Sequence, residues 1–270
     1  MPEGHTIHKI AKDHSKLLVG RPIGVSSPQG RFAESAMRID GAFLNRIEPR
    51  GKHLFYEWDS GEVGHVHLGL FGKFRVQVGP TLNDPIGEVR MRLTTETETA
   101  EIVTIDLSGP TICSLDAPDV RISILARLGP DPLRRNSKPD RMIDKIRASD
   151  RGIGDLIMDQ SVVAGVGNVY RAEALFVLGI HPLKPGREFE VDELEALWET
   201  IRTMLRRGVS DGRIVTVSRD EVGIGRGRPI PREEATYAYK RDHCLKCGDE
   251  IRRIEIANRI CYFCPTHQAR

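Results

Sequence analysis

The chain has 270 residues, 39% of them hydrophobic and 29% charged, with a net charge of +2. It holds no apolar run of about eighteen residues and no basic-then-apolar leader, which argues against a membrane-spanning helix and a signal peptide and makes a cytoplasmic protein the expectation. The length suits about two domains, and four of the five cysteines crowd into the last 27 residues, unlike a secreted disulfide framework.

From Ile7 the apolar positions Ile7, Ile10, Ala11, Leu17 and Leu18 recur at helical spacing until Gly20 and Pro22, predicting a helix with Pro2 and Glu3 at or just before its N-terminal end. Over 23–112 the pattern changes to β-branched and aromatic segments at 53–58, 63–68, 74–78, 91–94 and 102–107, separated by Gly, Pro, Asn and Asp. These predict a β-sandwich or barrel of short strands. Beyond Ala117-Pro118 helices are predicted at 120–127, 139–148, 152–159, 168–178 and 191–207, followed by a Gly- and Arg-rich loop to 232 and a small cysteine-rich unit. The expected fold is α+β and multidomain: a β-sandwich domain flanked by helices at 1–118, a helical domain with its loop at 119–232, and the cysteine-rich unit at 233–270.

The charge is uneven. Residues 202–270 carry 15 Lys/Arg against 9 Asp/Glu, which suits either a phosphate-binding face or a solvated basic surface. Methionine is generally removed when a small residue follows it, and here that leaves Pro2 with a free secondary amine. An α-amino group titrates near pH 8, and its attack on a sugar carbon gives an iminium that makes the adjacent proton acidic. Glu3 stands next in sequence to move protons, although a proline and an acid also simply begin many helices. His5, His8, His65 and His67 are read as structural histidines. Between Met158 and Phe176 a helix runs into the turn Gly165-Val166-Gly167, with Asn168 placed to cap the helix that follows. Such a turn either presents backbone amides to a phosphate or only joins two packed helices. Cys244-x2-Cys247 and Cys261-x2-Cys264 are a zinc signal, and His267 makes a fifth candidate for four positions; spacing alone prefers the four cysteines. A closed site of this kind makes the single ion structural. Cys113, alone in an apolar stretch, is read as a buried small hydrophobe.

These segments, in this order, resemble the Fpg/Nei family of bifunctional DNA glycosylases over nearly the whole chain. Pro2-Glu3-Gly4-His5 is similar to the opening of the endonuclease VIII branch, and Arg50-Gly51-Lys52-His53-Leu54-Phe55 to the family's lysine segment. Asp159-Gln160 through Gly167-Asn168 resembles its helix-two-turn-helix motif, and the cysteine unit, with sixteen residues between Cys247 and Cys264, its zinc-finger β-hairpin. The resemblance implies that Pro2 is the Schiff-base nucleophile and Glu3 the proton donor and acceptor, while Lys52 and Arg259 of the catalytic set, with Asn168 and Gly167, grip DNA phosphates. Leu70 and Phe71 fall where the family inserts side chains into the base stack, with Gly69 departing from the larger residue expected before them. Placing Arg259 at the hairpin tip implies zinc ligands Cys244, Cys247, Cys264 and His267, the last where the family has cysteine, and leaves Cys261 in reserve. The implied activity is excision of oxidised bases, pyrimidines foremost, from double-stranded DNA, followed by β,δ-elimination at the abasic site. It implies a monomer with no membrane partner and no cofactor besides zinc. A non-catalytic zinc-containing DNA-damage-binding protein would account for the turn, the basic surplus and the cysteines, but it leaves Pro2 and Glu3 without a role.

Overall fold

The computed structural model describes residues 2–225 and 227–269. The chain divides into two compact units, Met1–Glu3 with Ile7–Arg127, and Gly4–Thr6 with Leu128–Arg270. Among the described residues no helix is long and apolar enough to cross a membrane.

The first unit contains α1 (Gly4–Leu18, its first turn excepted), β1 (Gly24–Ser26), α2 (Ala33–Ile39), β2 (Leu44–Arg50), β3 (His53–Trp58), β4 (Val63–His67), β5 (Lys73–Gly79), β6 (Val89–Glu96), β7 (Ile102–Ser108), β8 (Ile112–Asp116) and α3 (Pro118–Arg127). Its strands form two four-stranded antiparallel sheets, ordered β1-β6-β7-β5 and β2-β3-β4-β8. One apolar core joins them: Val25, Leu93, Val103, Ile105 and Leu107 from the first sheet meet Ile47, Leu54, Tyr56, Trp58 and Val66 from the second, with Ile7, Ala11 and Leu18 of α1. The alternation of β3 sets the pattern, since Leu54, Tyr56 and Trp58 point into this core while His53, Phe55 and Glu57 fall on the opposite face.

Three strands and a helix are additions to the expected elements. β1 has only three residues, β2 carries a register shift between Leu44 and Arg46, β8 has no fully buried residue, and α2 interrupts a region that reads as strand. The expected boundary after 118 moves to 127, because α3 packs on the outer face of the second sheet. Arg121 of α3 pairs with the buried Glu48 of β2, reaches Glu57 at 3.4 Å, and lies over the Phe55 ring.

His14 of α1 sits inside this core with its Nδ1 2.8 Å from the Tyr56 hydroxyl and its ring edge-on to Phe74. Burial lowers its pKa to about 4. An imidazole held neutral contributes stability that is fully present above the unfolded pKa near 6.5 and is lost as pH falls toward the folded value. Between pH 7.5 and pH 5 this one residue should cost about 2 kcal/mol. Urea melts at the two pH values check it: His14→Gln, which keeps a partner for Tyr56, should narrow the difference by that amount, and an unchanged difference would refute it.

The second unit continues with α4 (Asp140–Arg147), α5 (Ile153–Leu156), α6 (Asn168–Val177), α7 (Val191–Asp211), β9 (Arg252–Ile256) and β10 (Arg259–Phe263). The ends of α7 are written in the sequence. Glu190 and Glu193 form a reciprocal capping box at its start, and Gly212 closes it in the left-handed conformation at φ 69°. α6 is buried nearly all round, including Asn168, Arg171 and Glu173, so it runs through the middle of the unit. β9 and β10 pair as a hairpin whose two turn residues, Ala257 and Asn258, both have positive φ. This is the mirror-image turn that suits the twist of a two-residue hairpin.

Candidate functional site

Glu3 is fully buried and Pro2 half-buried, directly before the first residue of α1. Within the second unit, the Gly4 amide donates to the carbonyl of Gly165 at 2.8 Å, and a Cβ on Gly4 would stand 2.9 Å from the Gly165 Cα. Both glycines are therefore needed for two backbones to touch, and Gly165 also has φ 95°. His5 follows, buried and edge-on to Tyr170 at 5.3 Å between ring centres, with burial lowering its pKa to about 4.

The turn leading into α6 is organised by Gln160. Its Nε2 donates to the carbonyls of Met158 and Val166, and its Oε1 accepts from the Gly165 amide. The expectation that Asn168 caps α6 is corrected. Gly167 is the cap residue and Asn168 the first helical one, and its side chain turns to the hairpin, donating through Nδ2 to the Ile260 carbonyl at 2.9 Å. Its Oδ1 accepts from the guanidinium of Arg171, which also donates to the carbonyls of Gly154, Ile256 and Arg259. Arg171 thus ties α6 to both sides of the hairpin turn, just after which Arg259 stands exposed. Sequence reasoning missed this residue; the signal was a guanidinium, with Glu173 two residues on, inside the largely apolar run from Val169 to Phe176. Two residues further, Glu173 accepts from the amides of Tyr237, Ala238 and Tyr239 and from the Thr216 hydroxyl, which anchors the segment leading into the cysteines.

In the first unit, Lys52 lies half-buried at the tight turn between β2 and β3, beside a cluster of His53, His65 and His67 on the outer face of the sheet. Leu70 and Phe71 occupy the turn after β4 and are 45% and 83% exposed. The turn closes through the Gly72 amide on the Leu68 carbonyl. Gly69, the departure from the expected larger residue, has φ 66°, and a Cβ there would meet the Thr111 hydroxyl at 1.9 Å. Two apolar side chains held out by a stiff turn are a feature that water alone does not favour.

The thiols of Cys244, Cys247 and Cys264 all lie within 4.8 Å of one another, the one such group of potential metal ligands among the described residues. The Cys261 thiol is outside that group, buried on β10, where burial raises its pKa and nearby Arg171 opposes the rise. His267 follows in the turn after Cys264: its amide approaches the Cys264 Sγ at 3.3 Å and its Nε2 lies 3.0 Å from the Phe176 carbonyl. A ring that donates from Nε2 carries its lone pair on Nδ1. The structure gathers the three thiols without a His267 nitrogen among them, and three thiolates are three of the four donors of a tetrahedral zinc centre.

Residues 1–109 match the family described as the formamidopyrimidine-DNA glycosylase N-terminal domain, and residues 128–219 the one described as the formamidopyrimidine-DNA glycosylase H2TH domain. The chain is 44% identical over 274 residues to proteins named endonuclease 8 1 from Mycobacterium tuberculosis and Mycobacterium bovis, covering 99% of this chain and 100% of theirs. It is 29% identical to a formamidopyrimidine-DNA glycosylase of Vibrio cholerae, with 99% and 100% covered. Among solved structures it is similar to Thermus thermophilus MutM (Fpg), with TM-score 0.76 at 27% identity over 99% of this chain and 98% of that one. It also resembles in fold Lactococcus lactis Fpg in complex with DNA containing an abasic site, with TM-score 0.78 at 21% identity and 99% and 100% covered.

Proposed function

The chain belongs to the Fpg/Nei family of bifunctional DNA glycosylases and lyases, and on that premise we propose that it removes oxidised bases, pyrimidines foremost, from duplex DNA and nicks the strand through Pro2. The observation that carries the reading is Glu3, which follows Pro2 in the chain, directly precedes α1 and is completely buried. Burying a carboxyl is costly, and a helix start on the surface does not require it.

With Met1 removed, the Pro2 nitrogen forms a bond to C1′ of the damaged nucleotide as the base departs with a proton supplied by Glu3. Opening of the sugar ring leaves an iminium on C1′. Loss of a C2′ proton then expels the 3′ phosphate, and loss of a C4′ proton expels the 5′ phosphate, so that hydrolysis of the imine returns the free amine and leaves a one-nucleotide gap. The target must leave the base stack for C1′ to be reached. Leu70 and Phe71 are the wedge for the space it vacates, and their exposure supports that role. Lys52, Asn168 with Gly167, and Arg259 hold the flanking phosphates; the Asn168–Arg171–hairpin network supports this by fixing Arg259 to α6. A zinc ion held by Cys244, Cys247, Cys264 and His267 has the structural task of closing the hairpin. The endonuclease VIII preference for pyrimidines rests on Gly4-His5 and on the 44% identity to endonuclease 8 1. The enzyme acts as a monomer.

Borohydride trapping on a duplex with a single abasic site tests the central step. A covalent adduct is expected with free Pro2 and none when the amine is blocked by an N-terminal extension. An adduct that survives blocking would move the nucleophile to a lysine.

A further inference from the structure

The outer face of the sheet ordered β2-β3-β4-β8 carries three imidazoles beside Lys52. Antiparallel register sets His53 against His67 and Phe55 against His65. His53 and His65 meet on the diagonal, with Nδ1 of the first 2.9 Å from Nε2 of the second and the rings stacked at 5.1 Å. The His67 ring lies 5.0 Å from that of His53. Behind them, on β8, the Asp116 Oδ2 is 4.0 Å from Nδ1 of His65. His65 is buried, whereas His53 and His67 keep an edge at the surface.

The protons on this chain of rings follow from its buried end. A carboxylate beside Nδ1 of His65 favours the tautomer with its proton on that nitrogen, which leaves Nε2 as an acceptor. His53 must then donate from Nδ1, and its Nε2 carries a lone pair. The charged and titratable groups around it are Arg50 opposite on β2, Lys52 beside it, His65 and His67 on β4, and Arg127 of α3, with Arg121 above Phe55 and Asp116 behind His65. Burial, followed by the two other histidines, Arg127 and Lys52, lowers its pKa to about 3. His53 therefore presents a neutral acceptor at Nε2, and to donate to an anion from that nitrogen the ring must take up a proton.

We propose that His53 is a phosphate-contact residue that takes up one proton when DNA binds, and that His65, with the Asp116 carboxylate near its Nδ1, is the positioning residue that sets its tautomer. This rests on the reading of the chain as a DNA glycosylase whose Lys52 grips a phosphate. It concerns residues that the lysine segment alone does not single out, since a histidine on the strand after Lys52 reads as an ordinary β-position.

The test compares wild type, His53→Gln and His65→Leu for binding to a duplex carrying a stable abasic-site analogue, at fixed ionic strength from pH 5.5 to 8. Proton uptake is read in parallel by calorimetry in two buffers of different ionisation enthalpy. Wild-type affinity should rise on acidification, approaching tenfold per pH unit where the bound ring is protonated and the free ring is not, with about one proton taken up. His53→Gln donates from an amide without a proton, and His65→Leu frees His53 to carry its own proton on Nε2. Both variants should therefore bind at pH 8 with a pH slope smaller by about one proton. Equal slopes in all three proteins overturn the assignment of His53, and His53→Gln alone decides it if His65→Leu does not fold. A wild type that does not bind the duplex at all overturns the DNA reading instead.

Discussion

Glu3→Gln is expected to lose excision of an oxidised base by about 10²–10⁴-fold while still forming a borohydride-trapped adduct on a preformed abasic site. The two reactions share the attack of Pro2 on C1′ but differ in what leaves. A base departing from C1′ needs a proton, and Glu3, buried and next to Pro2 in sequence, is the group proposed to deliver it. An abasic sugar is already in equilibrium with its open aldehyde, so imine formation there does not involve a departing base. The amide preserves the volume and most of the hydrogen bonding of the carboxyl, so burial is not disturbed. Excision of a single oxidised pyrimidine and trapping on abasic duplex, measured on the same preparation, separate the steps. Equal losses in both would show that Glu3 supports the fold at this end of α1 and not the proton transfer.

Removal of zinc is expected to open the β9–β10 hairpin and weaken DNA binding ten- to hundredfold. That is the loss of one charge-assisted grip of about 1.5–3 kcal/mol, that of Arg259. The small unit around the three thiols has Ile251, Tyr262 and Cys244 as core residues but leans on Phe176 and Ala172 of α6 for the rest. A structural zinc contributes about 10 kcal/mol or more to such a unit. Chelation, and Cys264→Ala independently, should abolish amide-exchange protection across 244–268 while leaving β3 and β7 protected. His267→Cys should bind zinc and retain protection, since it restores a fourth thiolate. Purified protein that contains no metal yet shows a protected hairpin would refute the assignment, leaving packing on α6 as what holds it.

The amino-acid sequence by itself determined the long periodic elements and the chemistry whose partners lie close along the chain. The helix after Glu3, the five predicted strands, α6 and the capped α7 are legible because their patterns recur over several residues or carry end signals. Pro2-Glu3 and Cys244-x2-Cys247 are legible because each motif is local. What only the tertiary structure decided depends on contacts between residues far apart. β1 and α2 have too few periods to stand out, β2 loses its alternation to the register shift after Leu44, and α3 joins the first unit because Arg121 finds Glu48 across 73 positions. Cys261 and Cys264 are equivalent by spacing, yet a strand alternates its faces, and residues three apart point to opposite sides until the chain turns after Phe263. Asn168 looks like a cap because caps are local, but a hairpin some 90 residues on offers its side chain a carbonyl, and Arg171 binds both. The histidine relay has the same origin: His53 and His65 are twelve residues apart, and the antiparallel register of β3 and β4 brings them into contact.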